Sequence, residues 1–357
     1  MSLIKVKSRG TDNVTGRKNL IINGAMRVAQ RGTSTTSVAA SGYFATDRMK
    51  YYDSAQVVAT VEQVSDAPSG SGFQYSHKVT ATTADSSLGA TELSCPLWYI
   101  VEKQDVDARL AYGTSSAKPI TMSFWIKSNV TGTYTISAYR SATPARVQAQ
   151  TYTISSANTW EFKTLTFLGD TAEAIDVDLH FYFNGLVGGD YDNTSTTSGW
   201  ATYSTGNWAG GHTATWGDTT NDTWQMTGLQ LEVGSEASDF EHRSFGEELA
   251  LCERYCQFIT GTNTYSRYCM GIAWESSTCD GGMVMRTVMR AQPTITLSGN
   301  FDCLGSPQVT GTTASAVHIN TDNFSLRQTK SGSFTANNAY LMRGYNNATS
   351  FKMEAEL

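Results

Sequence analysis

The feature that most constrains this chain is an alternation of β-branched and aromatic residues with polar ones, recurring in short runs from about residue 19 onward. The runs NLIINGAM, KYYDSAQVVATVEQV, QYSHKVTAT, ITMSFWIKS, GTYTISAYR, WEFKTLTFL and IDVDLHFYF all carry it, and a period of two places successive side chains on opposite faces of a strand. Turn-forming stretches such as SDAPSGSG, NVTG and SSAN separate the runs. In ITMSFWIKS, Met122, Phe124 and Ile126 point to one face while Ser123, Trp125 and Lys127 point to the other, as in an antiparallel sheet with one buried side. Likewise Val177, Leu179, Phe181 and Phe183 enter a core, leaving Asp176, Asp178, His180 and Tyr182 on the opposite face. Many short strands without intervening helices predict an all-β chain, a jelly-roll β-sandwich plus a smaller C-terminal β domain, joined by a short helix.

That helix is read from SFGEELALCERYCQFI, where Ser244 and Glu247 have the S-x-x-E spacing of a capping box. Phe245, Leu249, Cys252, Cys256 and Ile259 follow in a heptad-like stripe, which meets either its own domain or copies of itself. Leu249, Cys252, Cys256 and Ile259 are therefore the candidate oligomer seam. The expected organisation is a basic arm over 1–18, a jelly roll over 19–240, a helical connector over 241–260 and a β domain over 261–357.

Composition narrows the function classes. Of 357 residues only 16% are charged, against roughly 25% in ordinary soluble domains, while 11% are aromatic and only 6 are Pro. This describes a folded protein with a surface of hydroxyls and amides rather than a disordered chain. The net charge of −6 is unevenly spread. Lys5, Lys7, Arg9, Arg17, Lys18, Arg27 and Arg31 oppose only Asp12, so the start carries +6 and the remainder −12. Lys5, Lys7, Arg9, Arg17 and Lys18 form a candidate attachment arm that meets an acidic partner, or else a solvated terminus. Nucleic-acid binding would need such charge interleaved with stacking aromatics, which the arm lacks.

No stretch reaches the roughly 18 apolar residues of a membrane span, and the first residues hold no apolar run of a signal peptide. A soluble protein made in a cytoplasm is expected, without membrane insertion. The six cysteines, Cys95, Cys252, Cys256, Cys269, Cys279 and Cys303, form no CxxC knuckles, so buried free thiols are expected and zinc is not. No GxSxG elbow, HExxH helix or P-loop occurs, and the five histidines are scattered. No cofactor is expected.

Two resemblances arise from these residues. NLIINGAMRV (19–28), ITMSFWIKSNVTGTYTISAY (120–139) and WQMTGLQLEVGSEAS (224–238) resemble the first, central and last strands of jelly-roll carbohydrate-binding modules, in which first and last strands pair. NLIINGAMRVAQRG, GLQLEVGSEASDFEHRSFGEELALCERYCQ and the terminal FKMEAEL together resemble virion proteins of tailed bacteriophages, of the tail-fibre or receptor-binding kind. The second resemblance implies a homo-oligomer, a trimer, located in the virion tail and assembled in the host cytoplasm. Its N-terminal arm would attach to other phage tail proteins, and its β domains would face a host surface glycan. The modules' structural calcium is held by acidic residues after the first Asn-Gly and at the start of the last strand. Ala25, Met26 and Arg27, and Thr227 and Gly228, stand there instead, so that site is expected to be absent. Asp190, Asp192, Asp218 and Asp222 could build another or shape turns.

Sugar recognition needs flat apolar surface for C–H faces and neutral groups for hydroxyls. Residues 185–222 are rich in Gly, Thr, Ser and Asn, yet carry Trp200, Trp208 and Trp216, with Trp224 completing an eight-residue spacing that suits one face of a strand. The candidate carbohydrate-binding residues are Trp200, Trp208, Trp216, Tyr191 and Tyr203, with the outward row Asp178, His180 and Tyr182. A polysaccharide depolymerase is the rival from another class, with Asp176 and Asp178 as the nearest approach to a carboxylate pair. A purely structural tail adaptor or decoration protein is the other alternative. A binding protein rather than an enzyme is expected.

Overall fold

The computed structural model describes residues 17–192, 198–345 and 349–357 and separates into two compact units. Of the described residues, the first comprises 17–27 together with Ser34–Phe44 and Met49–His242, and the second comprises Val28–Thr33, Ala45–Arg48 and Arg243–Leu357. The stretch 19–240 expected as one sandwich thus lends two short segments to the second unit. Ion pairs hold them there: Arg31 meets Asp47 at 3.6 Å, Glu354 at 3.0 Å and Glu356 at 2.9 Å, and Arg48 meets Glu356 at 2.6 Å.

The first unit is built from β1 (Ser34–Val38), β2 (Gly42–Tyr43), β3 (Lys50–Asp53), β4 (Val58–Val64), β5 (Ser76–Thr83), β6 (Leu93–Val101) and helix α1 (Lys103–Leu110). There follow β7 (Ile120–Ser128), β8 (Gly132–Arg140), β9 (Arg146–Ile154), β10 (Glu161–Phe167), β11 (Leu179–Phe183), β12 (Leu186–Val187), β13 (Ala201–Thr202) and β14 (Thr223–Val233). A six-stranded antiparallel sheet runs β1-β4-β5-β14-β7-β10, and a second runs β13-β9-β8-β11-β6-β3-β2 with β12 also paired to β6. The chain crosses repeatedly between the two sheets, which makes the unit a jelly-roll sandwich. The alternation read from the sequence faces the core as expected: Met122, Phe124 and Ile126 of β7 and Leu179, Phe181 and Phe183 of β11 are all fully buried. Phe124 meets Phe183 with ring centroids 5.7 Å apart and Tyr152 at 5.2 Å, and Phe167 meets Phe181 at 5.6 Å. These edge-to-face contacts join the two sheets.

NLIINGAM is not a strand. Left-handed backbone at Asn23 (φ 62°) and Met26 (φ 55°) breaks the extended repeat, yet the segment is buried beside β14. The Leu20 N–H donates to the Leu231 carbonyl at 2.9 Å and the Leu229 N–H to the Gly24 carbonyl at 2.9 Å. A Cβ at Gly24 would stand 2.1 Å from the Leu229 oxygen, so only glycine fits this approach. Of the basic arm, Arg17 pairs with Asp105 at 3.2 Å and the Lys18 ammonium donates to Ser238 Oγ at 2.7 Å. Lys5, Lys7 and Arg9 lie outside the described residues.

The second unit opens with α2 (Phe245–Glu253), whose capping box is formed as expected: Ser244 N–H donates to Glu247 Oε2 at 2.9 Å and Glu247 N–H to Ser244 Oγ at 3.3 Å. The helix ends earlier than its stripe suggests. Cys256 and Ile259 belong to β15 (Cys256–Thr260), and Cys252 and Cys256 are buried within their own unit, with Leu249 half-buried. The expected helical seam over Leu249, Cys252, Cys256 and Ile259 is therefore not a continuous helix face. Strands β16 (Arg267–Glu275), β17 (Thr278–Val284), β18 (Thr294–Ser298), β19 (Phe301–Leu304), β20 (Val309–Val317), β21 (Asn323–Thr329), β22 (Ala339–Gly344) and β23 (Ser350–Glu354) complete the chain. Six of them close into a barrel in the order β16-β17-β21-β20-β19-β22, and β15-β23-β18 form a small sheet. Phe351 of that sheet packs on Tyr268, Phe301 and Phe324 of the barrel at 4.7, 5.5 and 6.1 Å, so one ring plugs the narrow interior. All six cysteines are free, and five are buried.

Burial holds three histidines of the first unit neutral: His77, His180 and His212 each fall to about 4. An unfolded histidine titrates near 6.5. From pH 6.5 down to 4 the unfolded chain gains protons that the folded chain refuses, so each buried histidine lowers stability as pH falls through that window. Asp53, raised to about 6 by burial, acts in the opposite sense. The histidine share is therefore read from a difference. Relative to His77→Gln, wild type should lose up to about 1.4 kcal/mol per pH unit between pH 6.5 and 4 in chemical denaturation, and a difference that does not vary with pH would contradict this.

Candidate functional site

The outer face of the second sheet of the sandwich carries an aromatic assembly. Alternation on β11 sends His180 and Tyr182 outward, and the register pairs them with Ile100 and Trp98 of β6 on one side and Tyr139 and Ser137 of β8 on the other. Trp98 stacks on Tyr182 at 4.7 Å and on His180 at 5.6 Å, while Tyr52 of β3 stands edge-on to both Trp98 and Tyr182 at 5.6 Å. The Lys50 ammonium lies 3.7 Å from the Trp98 ring centroid, a cation–π contact. Trp98 Nε1–H donates to His180 Nδ1 at 3.1 Å, which requires the neutral imidazole that burial also favours.

The Gly/Thr-rich segment after β12 folds onto this face. A short 3₁₀ turn over Thr205–Asn207 delivers Trp208, which is buried. Its indole N–H donates to Asn184 Oδ1 at 3.0 Å, and Asn184 Nδ2 donates to the Thr135 carbonyl at 3.0 Å and Ser137 Oγ at 2.8 Å. Ser137 Oγ–H returns to the Trp208 carbonyl at 2.6 Å, closing a buried loop of hydrogen bonds that fixes the indole plane. Around Trp208 stand Tyr182 at 4.8 Å, Tyr139 at 5.4 Å, Tyr203 at 5.8 Å and Tyr191 at 6.3 Å. With Tyr52 and Leu93 they line a cavity of about 160 Å³.

The hydroxyls of Tyr139, Tyr182, Tyr191 and Tyr203 have no hydrogen-bond partner among the described residues. Burial raises all four phenols above their ordinary range, so they stay protonated at neutral pH and can both donate and accept. An aromatic floor rimmed by free neutral hydroxyls can stack on the C–H faces of a polyol and bond its hydroxyl groups.

Of the residues expected from the sequence, the structure brings together Trp208, Tyr191, Tyr203, His180 and Tyr182. Three others stand elsewhere. Trp216 is fully buried in the sandwich beneath Gly185, where a Cβ would fall 2.6 Å from the indole. Trp200 donates its Nε1–H to the Leu168 carbonyl at 2.7 Å and packs edge-on to Tyr112 at 5.9 Å. Asp178 accepts the Lys103 N–H at 2.8 Å at the start of α1. The eight-residue tryptophan spacing thus marks no common face, because 185–222 is mostly loop and period two holds only along a strand. Trp98, Tyr139, Tyr52 and Lys50 were missed. Tyr139 is visible in retrospect as the outward phase of GTYTISAYR, whereas Trp98 sits in LSCPLWYIV, a run buried on both faces that shows no alternation. Of the loop acids, Asp222 Oδ2 accepts the Gly217 N–H at 3.0 Å and the Thr219 N–H at 3.3 Å within its own turn, whereas Asp192 Oδ1 ties two stretches of loop together by accepting the Gly211 N–H at 3.0 Å. Among the described residues no cluster of three His, Cys, Asp or Glu converges as a metal site.

No protein-family model matches the chain, and no curated protein does. Among solved structures, similarity extends to the enzymatically active domain of bacteriophage CBA120 tailspike protein 4, at 14% identity and a TM-score of 0.35 over 60% of this chain and 21% of that one. A carbohydrate-binding module of the CBM4 kind aligns at 13% identity and a TM-score of 0.30, over 59% and 97% of the two chains. The family 11 module of a Clostridium thermocellum cellulase aligns at 12% identity and 0.28, over 59% and 98%.

Trp216 fills the core rather than the site, and stability measurements test that role. Trp216→Ala should cost about 3–5 kcal/mol through the cavity it leaves. Trp216→Phe should cost far less, because the buried Nε1–H of Trp216 has no hydrogen-bond partner to lose. Equal losses for the two substitutions in denaturant unfolding would show that the indole nitrogen is satisfied after all.

Proposed function

We propose that this chain is a tail protein of a phage virion, of the tail-fibre or receptor-binding kind, that attaches to host surface glycans through the aromatic face of its sandwich. The observation that carries the glycan part is the cavity around Trp208, where edge-on rings meet four phenol hydroxyls without partners among the described residues. The phage part rests on the three sequence blocks at the start, the middle and the end of the chain. In this reading Lys5, Lys7 and Arg9 supply the attachment arm, since Arg17 and Lys18 are engaged within the sandwich unit. We propose no enzymatic step: the nearest carboxylate pair is already committed, Asp176 to Arg140 at 3.5 Å and Asp178 to a backbone N–H. A polysaccharide depolymerase remains the alternative that release of reducing ends from host polysaccharide would establish. A purely structural adaptor is the alternative favoured if no glycan is retained.

On a glycan array, Tyr139→Ala and Tyr203→Ala should each weaken retention by about tenfold or more, with unchanged thermal unfolding. Unaltered binding in both would remove the aromatic face from the reading.

Self-association, as a trimer, is part of the same proposal, and the barrel supports it better than the helix does. Met270, Ile272 and Trp274 alternate outward along β16 and are 60%, 56% and 71% exposed. The register places Met270 beside Leu341 of β22, which in turn faces Leu304 of β19. An apolar row on an exposed strand face supports a reading as an interface between copies. Ile272→Asp and Trp274→Ser should lower the assembled mass in light scattering while leaving the barrel folded by circular dichroism, and an unchanged mass would exclude this face as the seam.

A further inference from the structure

We propose that the outer face of the other sheet of the sandwich, the six-stranded one, carries a second and independent binding groove for a short neutral saccharide. The groove encloses about 500 Å³. It falls within the roughly 300–1,000 Å³ of ordinary ligand sites, which the cavity around Trp208 does not reach.

Its walls follow from strand register. Trp125 of β7 and Phe162 of β10 are directly paired across the edge of the sheet, their rings 5.3 Å apart and tilted by 54°, with Phe162 half exposed. The opposite wall is an edge-on pair, Phe73 and Phe240, at 4.8 Å. Between the walls the β14–β7 ladder is interrupted from Thr227 to Gln230, and Gly228 there adopts φ 64°. A Cβ at Gly228 would stand 2.6 Å from the Phe73 ring and 3.3 Å from Trp125 Cδ1, so the glycine at the bulge is what lets the Phe73 ring lie against the sheet beside Trp125.

Two polar groups point to what the groove takes. Ser123, two residues before Trp125 on the same face of β7, is only 4% exposed, and its hydroxyl has no hydrogen-bond partner among the described residues. Lining the groove, that hydroxyl is available to donate to and accept from a ligand hydroxyl. Asp239 also lines the groove; its carboxylate has no hydrogen-bond partner among the described residues, while its carbonyl takes the Lys18 ammonium. An aromatic wall suits the C–H face of a pyranose, and a carboxylate beside a free hydroxyl suits adjacent sugar hydroxyls. No lysine or arginine is among the lining residues, and the Lys18 ammonium beside them is already taken up by the Asp239 carbonyl and Ser238 Oγ, so Asp239 disfavours uronates and other acidic sugars.

The test uses the full chain in isothermal titration with cellohexaose, xylohexaose, mannohexaose and chitohexaose, and with hexagalacturonate as an acidic control. Trp98→Ala/Tyr139→Ala silences the face around Trp208. In that background at least one neutral hexasaccharide should still bind, and Asp239→Asn and Trp125→Ala should each weaken it by about tenfold. Asp239→Asn guards against misfolding, since it alters one surface group. Loss of all binding in the double variant, groove substitutions that change affinity by less than about twofold, tighter binding of the acidic control, or no binding by the wild type would each overturn the groove. Binding abolished by Trp98→Ala/Tyr139→Ala alone would leave the first face standing and the groove refuted. Binding abolished only by the groove substitutions would establish the groove and refute the first face.

Discussion

The aromatic face depends on one buried amide. Asn184 follows the last residue of β11, fully inside the protein, and its side chain spans the gap between sheet and loop. Its Oδ1 takes the Trp208 indole proton while its Nδ2 is spent on the Thr135 carbonyl and Ser137 hydroxyl of β8. Without that bridge, the Trp208 indole N–H loses its hydrogen-bond partner, and the tyrosines around Trp208 lose a fixed centre. An amide is suited to the task because it offers donor and acceptor in one plane and carries no charge to desolvate.

The same economy runs through the rest of the chain. Charged residues are few, and many of those present are turned inward as ties. Arg140 and Arg146 both converge on Asp170, at 3.1 and 2.9 Å, and hydrogen bonds to Arg146 with the nearby guanidinium charges hold that carboxyl below its usual range. Arg343 grips Asp302 on the barrel at 2.7 Å. In the second unit Arg31 and Arg48 secure two segments from early in the chain against Glu354 and Glu356. Buried pairs of this kind contribute little net stability, but losing one partner leaves the other uncompensated, so they specify which segments lie together. What remains on the surface is hydroxyl, amide and ring.

This explains which parts were legible in the sequence. Period-two alternation is local, and it placed Phe124, Phe181 and Phe183 in the core without knowledge of their partners. The capping box is also local, and Ser244 starts the helix as its spacing predicts. The helix end is not local. Cys256 leaves the helix because β15 pairs with β23, almost a hundred residues away, and a heptad-like stripe cannot register that competition. The arginine ties of the second unit are equally remote in sequence, which is why two short segments passed for parts of the sandwich. At the site, His180 and Tyr182 were visible as an outward row. Trp98 was hidden in a run buried on both faces, and the regular spacing of Trp200, Trp208, Trp216 and Trp224 misled, because loop geometry sends each indole to a different environment.

The aromatic face and the groove lie on opposite sides of a sandwich whose sheets stand about 10 Å apart. A saccharide chain seated across one sheet cannot also lie across the other, so joint occupancy requires two glycan chains rather than one longer one. If both proposed sites bind, they would act through effective concentration, and the gain would be largest against a dense surface that presents many chains at once. Copies joined through the barrel face would multiply that effect without any new contact to sugar. Because the contacts on the aromatic face would be rings and hydroxyls rather than ions, salt would leave them nearly unscreened. A surface poor in charge is therefore compatible with adhesion, since repeated neutral contacts can supply what a single ionic one would lose to the medium.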